Sequence, residues 1–193
     1  SGSYVYTASF DTRNRFRATA CHNTPQVDRQ EINRFDPANL WALEDDARPT
    51  LLVWRSTDTE DVFVGRHRGY ERLGIAVERT IRFDKRTRAL EIVDRVEGEG
   101  EHTVTIPLHL APGVSLETGD GGCTLRSAGR DFEIAFEARD GWTVRAEPCL
   151  ISPSYGVGLK SQRLVWTRQA ARLPAILRLI IRPLQVAGGA ICA

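Results

Sequence analysis

The chain contains no methionine, not even at its first position, so its 193 residues do not open at a start codon. They read as a processed product or, preferably, as a piece excised from something longer. Cysteine is sparse: Cys21, Cys123, Cys149 and Cys192 are scattered without C-x-x-C spacing, which withdraws support from a zinc ribbon or a dithiol redox motif. These four neither demand nor exclude an oxidising compartment. There is no charge excess. A formal net charge of +1 leaves no global basic field of the kind nucleic-acid binding needs, so anion binding must be local. No run of about 18 apolar residues is present that would span a membrane. The most apolar stretch, Leu173 to Leu184, is broken by Pro174, Arg178, Arg182 and Pro183. No basic segment leading into an apolar one opens the chain, as a signal peptide would. Internal repeats, low-complexity tracts and linkers are absent too. The one place with room for a helix longer than a turn or two lies inside Asp28 to Asp46.

What is present is strand pattern. With 41% hydrophobic residues, the chain is large enough for one domain with a real core. Ser1 to Phe10 alternates loosely with aromatics at Tyr4, Tyr6 and Phe10, which predicts a first strand. Arg13 to Cys21 continues as strand, and Asn23-Thr24-Pro25 ends it, since Pro25 cannot extend a central ladder. Val27 to Leu40 is polar and aperiodic and reads as a long excursion. From Pro49 onward, short alternating segments recur at about 8–12 residues with turn chemistry between them. Val77, Arg79, Ile81 and Phe83 alternate in one, and Val104, Ile106, Leu108 and Leu110 in another. The pattern predicts an all-β fold, an antiparallel β-sandwich of two stacked sheets with little helix.

The most unusual stretch is Arg13 to Thr24. In a strand, Arg13, Arg15 and Arg17 would line one face, and three planar guanidiniums suit carboxylate or sulfate. His22 follows, with Asn23 and Thr24. A titratable imidazole beside a cationic rail suggests acid/base work on an acidic substrate. By itself the stretch reads first as a solvated, aggregation-resistant face.

Further segments give the stretch a context. Ser1-Gly2-Ser3-Tyr4-Val5-Tyr6, then Arg15 to Thr24, then Val27-Asp28, resemble the opening of the C-terminal β domain of heparinase II/III-like proteins. Gly69 to Leu73, Arg79 to Phe83, Ile92 to Val96, Gly100-Glu101-His102, His109 to Gly113 and Ser154-Tyr155-Gly156 follow in the family's order. The resemblance covers about residues 1 to 182, and its collinearity carries the assignment. It implies a β-sandwich that follows an N-terminal α/α toroid in a longer chain. It also implies a bacterial periplasmic or secreted lyase acting on uronic-acid polymers such as heparan sulfate or alginate. The implied reaction is β-elimination: the carboxylate is neutralised, a base takes the C5 proton and the C4 oxygen departs. Without the toroid the chain would hold part of an active site and be inactive alone. A non-catalytic carbohydrate-binding or structural sandwich is the alternative.

The resemblance makes His22 the candidate catalytic residue, with Arg13, Arg15, Arg17, Asn23 and Trp41 as candidates for binding anionic polysaccharide. Several members carry a His-x-His pair here, one histidine catalytic and one a metal ligand. This chain has Ala20 and Thr24 at the flanking positions, which argues against the usual metal site. His22, Asp36 and His67 remain as a candidate set for zinc, or calcium in the full-length protein, although surface histidines and a turn aspartate are the plainer reading. His109 reads as a satisfied half-buried histidine and His102 as exposed. Trp54 and Trp166 read as core, and Tyr70 and Tyr155 as packing or cap residues at turns. Cys21 and His22 would point to opposite faces of a strand and so would not pair as nucleophile and base. The partners implied are an anionic polysaccharide, the missing toroid and, through the uncovered toroid face, a weak homodimer.

Overall fold

The computed structural model describes residues 2–119, 122–137 and 141–184. They form two antiparallel sheets stacked as an open sandwich, as the strand pattern predicts. One sheet has four strands, in the order β1 (Gln26–Val27), β6 (Glu101–His109), β11 (Val157–Arg172) and β10 (Thr143–Ser154). The other has eight: β2 (Thr50–Ser56), β3 (Glu60–His67), β4 (Ala76–Asp84), β5 (Leu90–Glu97), β12 (Ala175–Pro183), β9 (Arg130–Phe136), β8 (Gly122–Ser127) and β7 (Ser115–Gly119). Meanders and hairpins joined by short turns, several of them carrying Gly, account for most neighbours. The exceptions, β1 on β6, β6 on β11 and β12 between β5 and β9, knit the two halves of the chain together.

Alternation along the strands produces the core. Val104, Ile106, Leu164 and Trp166 from the smaller sheet meet Val77, Val96, Ile134, Leu177 and Leu179 from the larger, all buried. Phe136 sits edge-on to Trp166 at 5.6 Å. Burial of such side chains, at about 25 cal/mol per Å2, is the main force holding the sheets together. Trp166 is therefore core, as its apolar strand indicates. Trp54 is not: it is 67% exposed. The smaller sheet has half the strands of the larger, and every residue of the edge strand β2 is exposed.

The first 25 residues depart from the strand pattern. Ser3 to Ser9 form no strand, and Phe10–Arg17 is an α-helix, α1, followed by a 3-10 turn at Thr19–Cys21. The helix has local reasons. Ser9 caps it, its Oγ accepting from the Thr12 amide at 3.3 Å, with Asp11 in the first turn and Arg15 and Arg17 in the last, where the helix dipole favours them. Arg, Asn and Asp carry little strand preference, and Phe16 alone needs burial. The segment from Asp28 to Asp46, the one place with room for a longer helix, is an irregular excursion held by side chains. Arg34 forms a two-pronged ion pair with Asp46 at 2.8 and 3.0 Å, and Asn33 accepts from the Ala47 amide.

Candidate functional site

The site is built where β1 stops. β1 is two residues long and pairs Gln26 with Thr105 and Val27 with Val104, so among the described residues the rest of β6 has no ladder partner on that side. Pro107 is tolerated there for the same reason. Because Pro25 cannot carry the ladder backward, the chain before it uses a side chain instead. Asn23 Oδ1 accepts from the backbone N–H of His109 at 2.8 Å and lies 2.9 Å from His109 Nδ1. On the other side, the Asn23 carbonyl accepts from Arg79 Nη1. Arg79 is itself fixed by a fork to Asp94, Nε to Oδ1 at 2.7 Å and Nη2 to Oδ2 at 2.6 Å. Asp94 is 1% exposed. Burial pushes its carboxyl up and Arg79 pulls it back down.

Residues 18–22 are pinned by a second set of bonds. Arg163 Nη1 donates to the Ala20 carbonyl while its Nε and Nη2 hold Glu147. Glu31 accepts from the Thr19 amide at 2.6 Å, and Thr19 Oγ1 accepts from the Ile32 amide. His22 is thereby presented, exposed, on a fixed backbone near His109, whose pKa burial and then Arg163 lower to about 4. Desolvation holds the His22 imidazole below the ordinary histidine value. Next to it lies a cleft of about 210 Å3 lined by Arg15, Cys21, His109, Cys149 and Arg163. Burial raises both the Cys21 and Cys149 thiols, so neither is a ready thiolate.

The sequence-derived candidates distribute unevenly. The arginine rail does not exist, because on a helix Arg15 points away from Arg13 and Arg17. Arg17 is consumed structurally: it donates to the carbonyls of Asp36, Asn39 and Ala42 and lies over the Phe35 ring at 4.0 Å. Arg13 lies over Tyr6 at 5.5 Å. Arg15 alone of the three lines the cleft. Asn23 is present but acts as a clamp. Trp41 is 70% exposed and packs on Tyr6, which in turn stacks on Tyr155 at 5.4 Å.

His22, Asp36 and His67 do not converge. Among the described residues no group of three His, Cys, Asp or Glu side chains is placed to hold a metal ion. Asp36 caps its own turn, with Oδ1 on the Ala38 amide. His67 accepts from the Gly69 amide through Nδ1, and its buried Nε2 has no partner. Burial and Arg79 lower its pKa to about 4. The donor set therefore does not fit zinc or calcium.

Sequence reasoning missed His109 and Arg163. The signal for His109 was its place at the end of β6, two residues after Pro107, but only a ladder as short as β1 gives it a role. His102 is less exposed than expected, its side chain at 17%, because Nδ1 meets Asp28 at 2.7 Å. Tyr70 is buried and donates to the carbonyl of Pro25 or Gln30, a packing role as anticipated.

Comparison with known proteins agrees with this architecture. The chain superposes on a heparan sulfate lyase, HepC from Pedobacter heparinus, with a TM-score of 0.77 at 17% identity, covering 97% of this chain and 28% of that one. A heparinase III gene product gives 0.75 at 21% identity, with 95% and 27% covered. Another heparinase III structure gives 0.75 at 19% identity, again with 95% and 27%. The chain thus spans little more than a quarter of the length of these relatives, and such low identity speaks for the fold alone. No curated protein matches the sequence. The sequence profile described as "Heparinase II/III-like, C-terminal" matches residues 1–180, and this chain belongs to that family.

Proposed function

We propose that this chain is the β-sandwich part of a lyase that cleaves uronic-acid-containing polysaccharide by β-elimination, completed by an N-terminal toroid. His22 faces the sugar carboxylate or assists the base, Arg15 supplies a cation, and Asn23 sets the position of both histidines. The observation that carries this reading is the clamp: Asn23, its side-chain oxygen on β6 and its carbonyl on an Arg79 paired with the buried Asp94, holds His22 beside a cleft bearing Arg15. Elimination needs positive or hydrogen-bonding groups fixed where carboxylate charge develops, because preorganised donors need not reorganise during the reaction. One neighbouring enzyme, HepC, is a heparan sulfate lyase, and alginate is another uronate polymer open to the same chemistry. The test is the appearance of unsaturated-uronate absorbance when the full-length parent meets heparan sulfate, alginate, hyaluronan and a bacterial capsule extract. A rise with one polymer fixes reaction and substrate together; silence across the panel from folded protein contradicts the reading.

One observation favours a second reading, a carbohydrate-binding sandwich without catalysis. Trp41, Tyr6 and Tyr155 form an exposed aromatic stack, and the outer faces of Trp41 and Tyr155 suit a sugar ring. Under this reading Trp41→Ala weakens retention on immobilised polysaccharide, and His22→Ala changes nothing. The exposed apolar strand β2, with Leu51, Leu52, Val53 and Trp54, is the surface offered to the toroid or, in its absence, to a second copy.

A further inference from the structure

The cleft beside His22 holds one group whose chemistry the hydrogen bonds determine completely. An amide nitrogen cannot accept from a backbone N–H, so the Asn23 atom facing the His109 N–H is the oxygen. That same oxygen lies 2.9 Å from His109 Nδ1, so Nδ1 must carry the hydrogen. The neutral ring then has its lone pair on Nε2, the less common arrangement for a free imidazole. His109 lines the cleft, and among the described residues Nε2 has no partner. Burial and the nearby Arg163 hold the His109 pKa at about 4, so at neutral pH Nε2 is an acceptor and not a donor.

The second group is Arg15. Arg163 is occupied by Glu147 and Ala20, Arg17 by three carbonyls, and Arg13 rests on Tyr6. Arg15 lines the same cleft, and among the described residues its guanidinium makes no hydrogen bond or ion pair. A ligand satisfying both groups must carry an anion for Arg15 and an O–H donor for Nε2. Sulfate offers only acceptors and would set lone pairs against the Nε2 lone pair. An uncharged sugar offers hydroxyls but nothing for Arg15. A uronate ring carries a carboxylate and a hydroxyl on adjacent carbons.

We infer that this cleft is a subsite for one acidic pyranose, Arg15 taking its carboxylate and His109 Nε2 accepting from a hydroxyl of the same ring. The inference rests on the reading of the chain as a domain that handles uronate polymers and adds two residues to it. His109 here is a substrate-binding residue that selects for a donor, and Asn23 is the positioning residue that sets its tautomer.

The experiment is imidazole 15N NMR on the labelled protein with D-glucuronate as probe and D-glucose and inorganic sulfate as comparisons. The expected spectrum has His109 protonated on Nδ1 and bare on Nε2, and the Nε2 resonance moves saturably with D-glucuronate but with neither comparison compound. His109→Phe weakens binding by about fivefold, the value of one neutral hydrogen bond, and Arg15→Gln by about tenfold or more. Asn23→Leu frees the ring to take the commoner tautomer and lowers affinity without removing either contact residue. If that variant fails to fold, the wild-type spectrum still decides. An Nε2-protonated His109, or an Nε2 resonance that D-glucuronate leaves unmoved at tens of millimolar, overturns the subsite. Cleavage of a uronate polymer by the parent in that case leaves the lyase reading standing and removes only this inference.

Discussion

Asp94 has its side-chain hydrogen bonds on Arg79 alone, and Arg79 carries the Asn23 carbonyl. Removing the carboxylate by Asp94→Ala leaves a half-buried guanidinium without its counter-ion, at an expected cost of about 3–5 kcal/mol in denaturant unfolding. Nothing in the sequence marked this pair beyond its place in two short segments of family resemblance, because the facing of Arg79 and Asp94 depends on the β4–β5 register. His67 gives a pH dependence whose sign follows from its surroundings. Its folded pKa of about 4 lies below the unfolded value, so between about pH 6.5 and 4 the unfolded chain binds a proton that the folded one refuses. Stability therefore falls as the pH drops through that window, and His109 acts in the same direction. His102 opposes them: Asp28 raises its pKa, so its contribution is full at low pH and is lost as the pH rises through the folded value. His22, also held low by desolvation, joins His67 and His109, while the Asp94 carboxyl, pushed up by burial, joins His102. With three groups against two, the urea midpoint at pH 5 is expected below that at pH 7. His67→Asn keeps an acceptor for the Gly69 amide, removes the titration and narrows the difference; an unchanged difference contradicts the assignment.

At the scale of elements, α1 is where sequence and structure part. Alternation of arginine with Asn14, Phe16 and Ala18 satisfies a strand template, yet the same residues satisfy a capped two-turn helix with Phe16 inward. Tertiary contacts decide between them. Asn14 donates to Pro37, and Arg17 gathers three carbonyls of the excursion, contacts 19 or more positions distant that no local pattern encodes. Two outcomes are expected. Ser9→Ala removes the cap and costs about 1 kcal/mol in urea unfolding. Arg17→Ala leaves the global unfolding midpoint nearly unchanged but speeds proteolytic cleavage within residues 35–42, because that loop loses its tether. Protection equal to wild type would mean the excursion holds itself.

For the whole molecule, the all-β sandwich was legible because strands of alternating burial between turn residues repeat from Pro49 onward. His22 was legible as part of the family's motif but was read onto a strand, where the structure has a helix, a 3-10 turn and a loop. The partnership of that loop with β6 was not legible, since it exists only because β1 ends after two residues. Nor was the exposure of Trp54, which reads as core in an apolar strand but lies on an edge that half-width coverage leaves open. That edge has a consequence at this scale. The protein is expected to self-associate weakly as concentration rises in sedimentation, and Leu52→Lys is expected to abolish it; monomeric behaviour throughout would count against an interface on β2.

Under the proposed elimination, the fold holds His22 in place for the reaction. The measurement that tests it most directly is the initial rate of unsaturated-uronate formation by the full-length parent and by its His22→Ala variant, on a polymer the parent cleaves. The account expects a loss of at least about a hundredfold in kcat with an unchanged unfolding midpoint, in line with the removal of a positioned acid/base or charge-stabilising group. A variant that is folded and cleaves at the parental rate would contradict it.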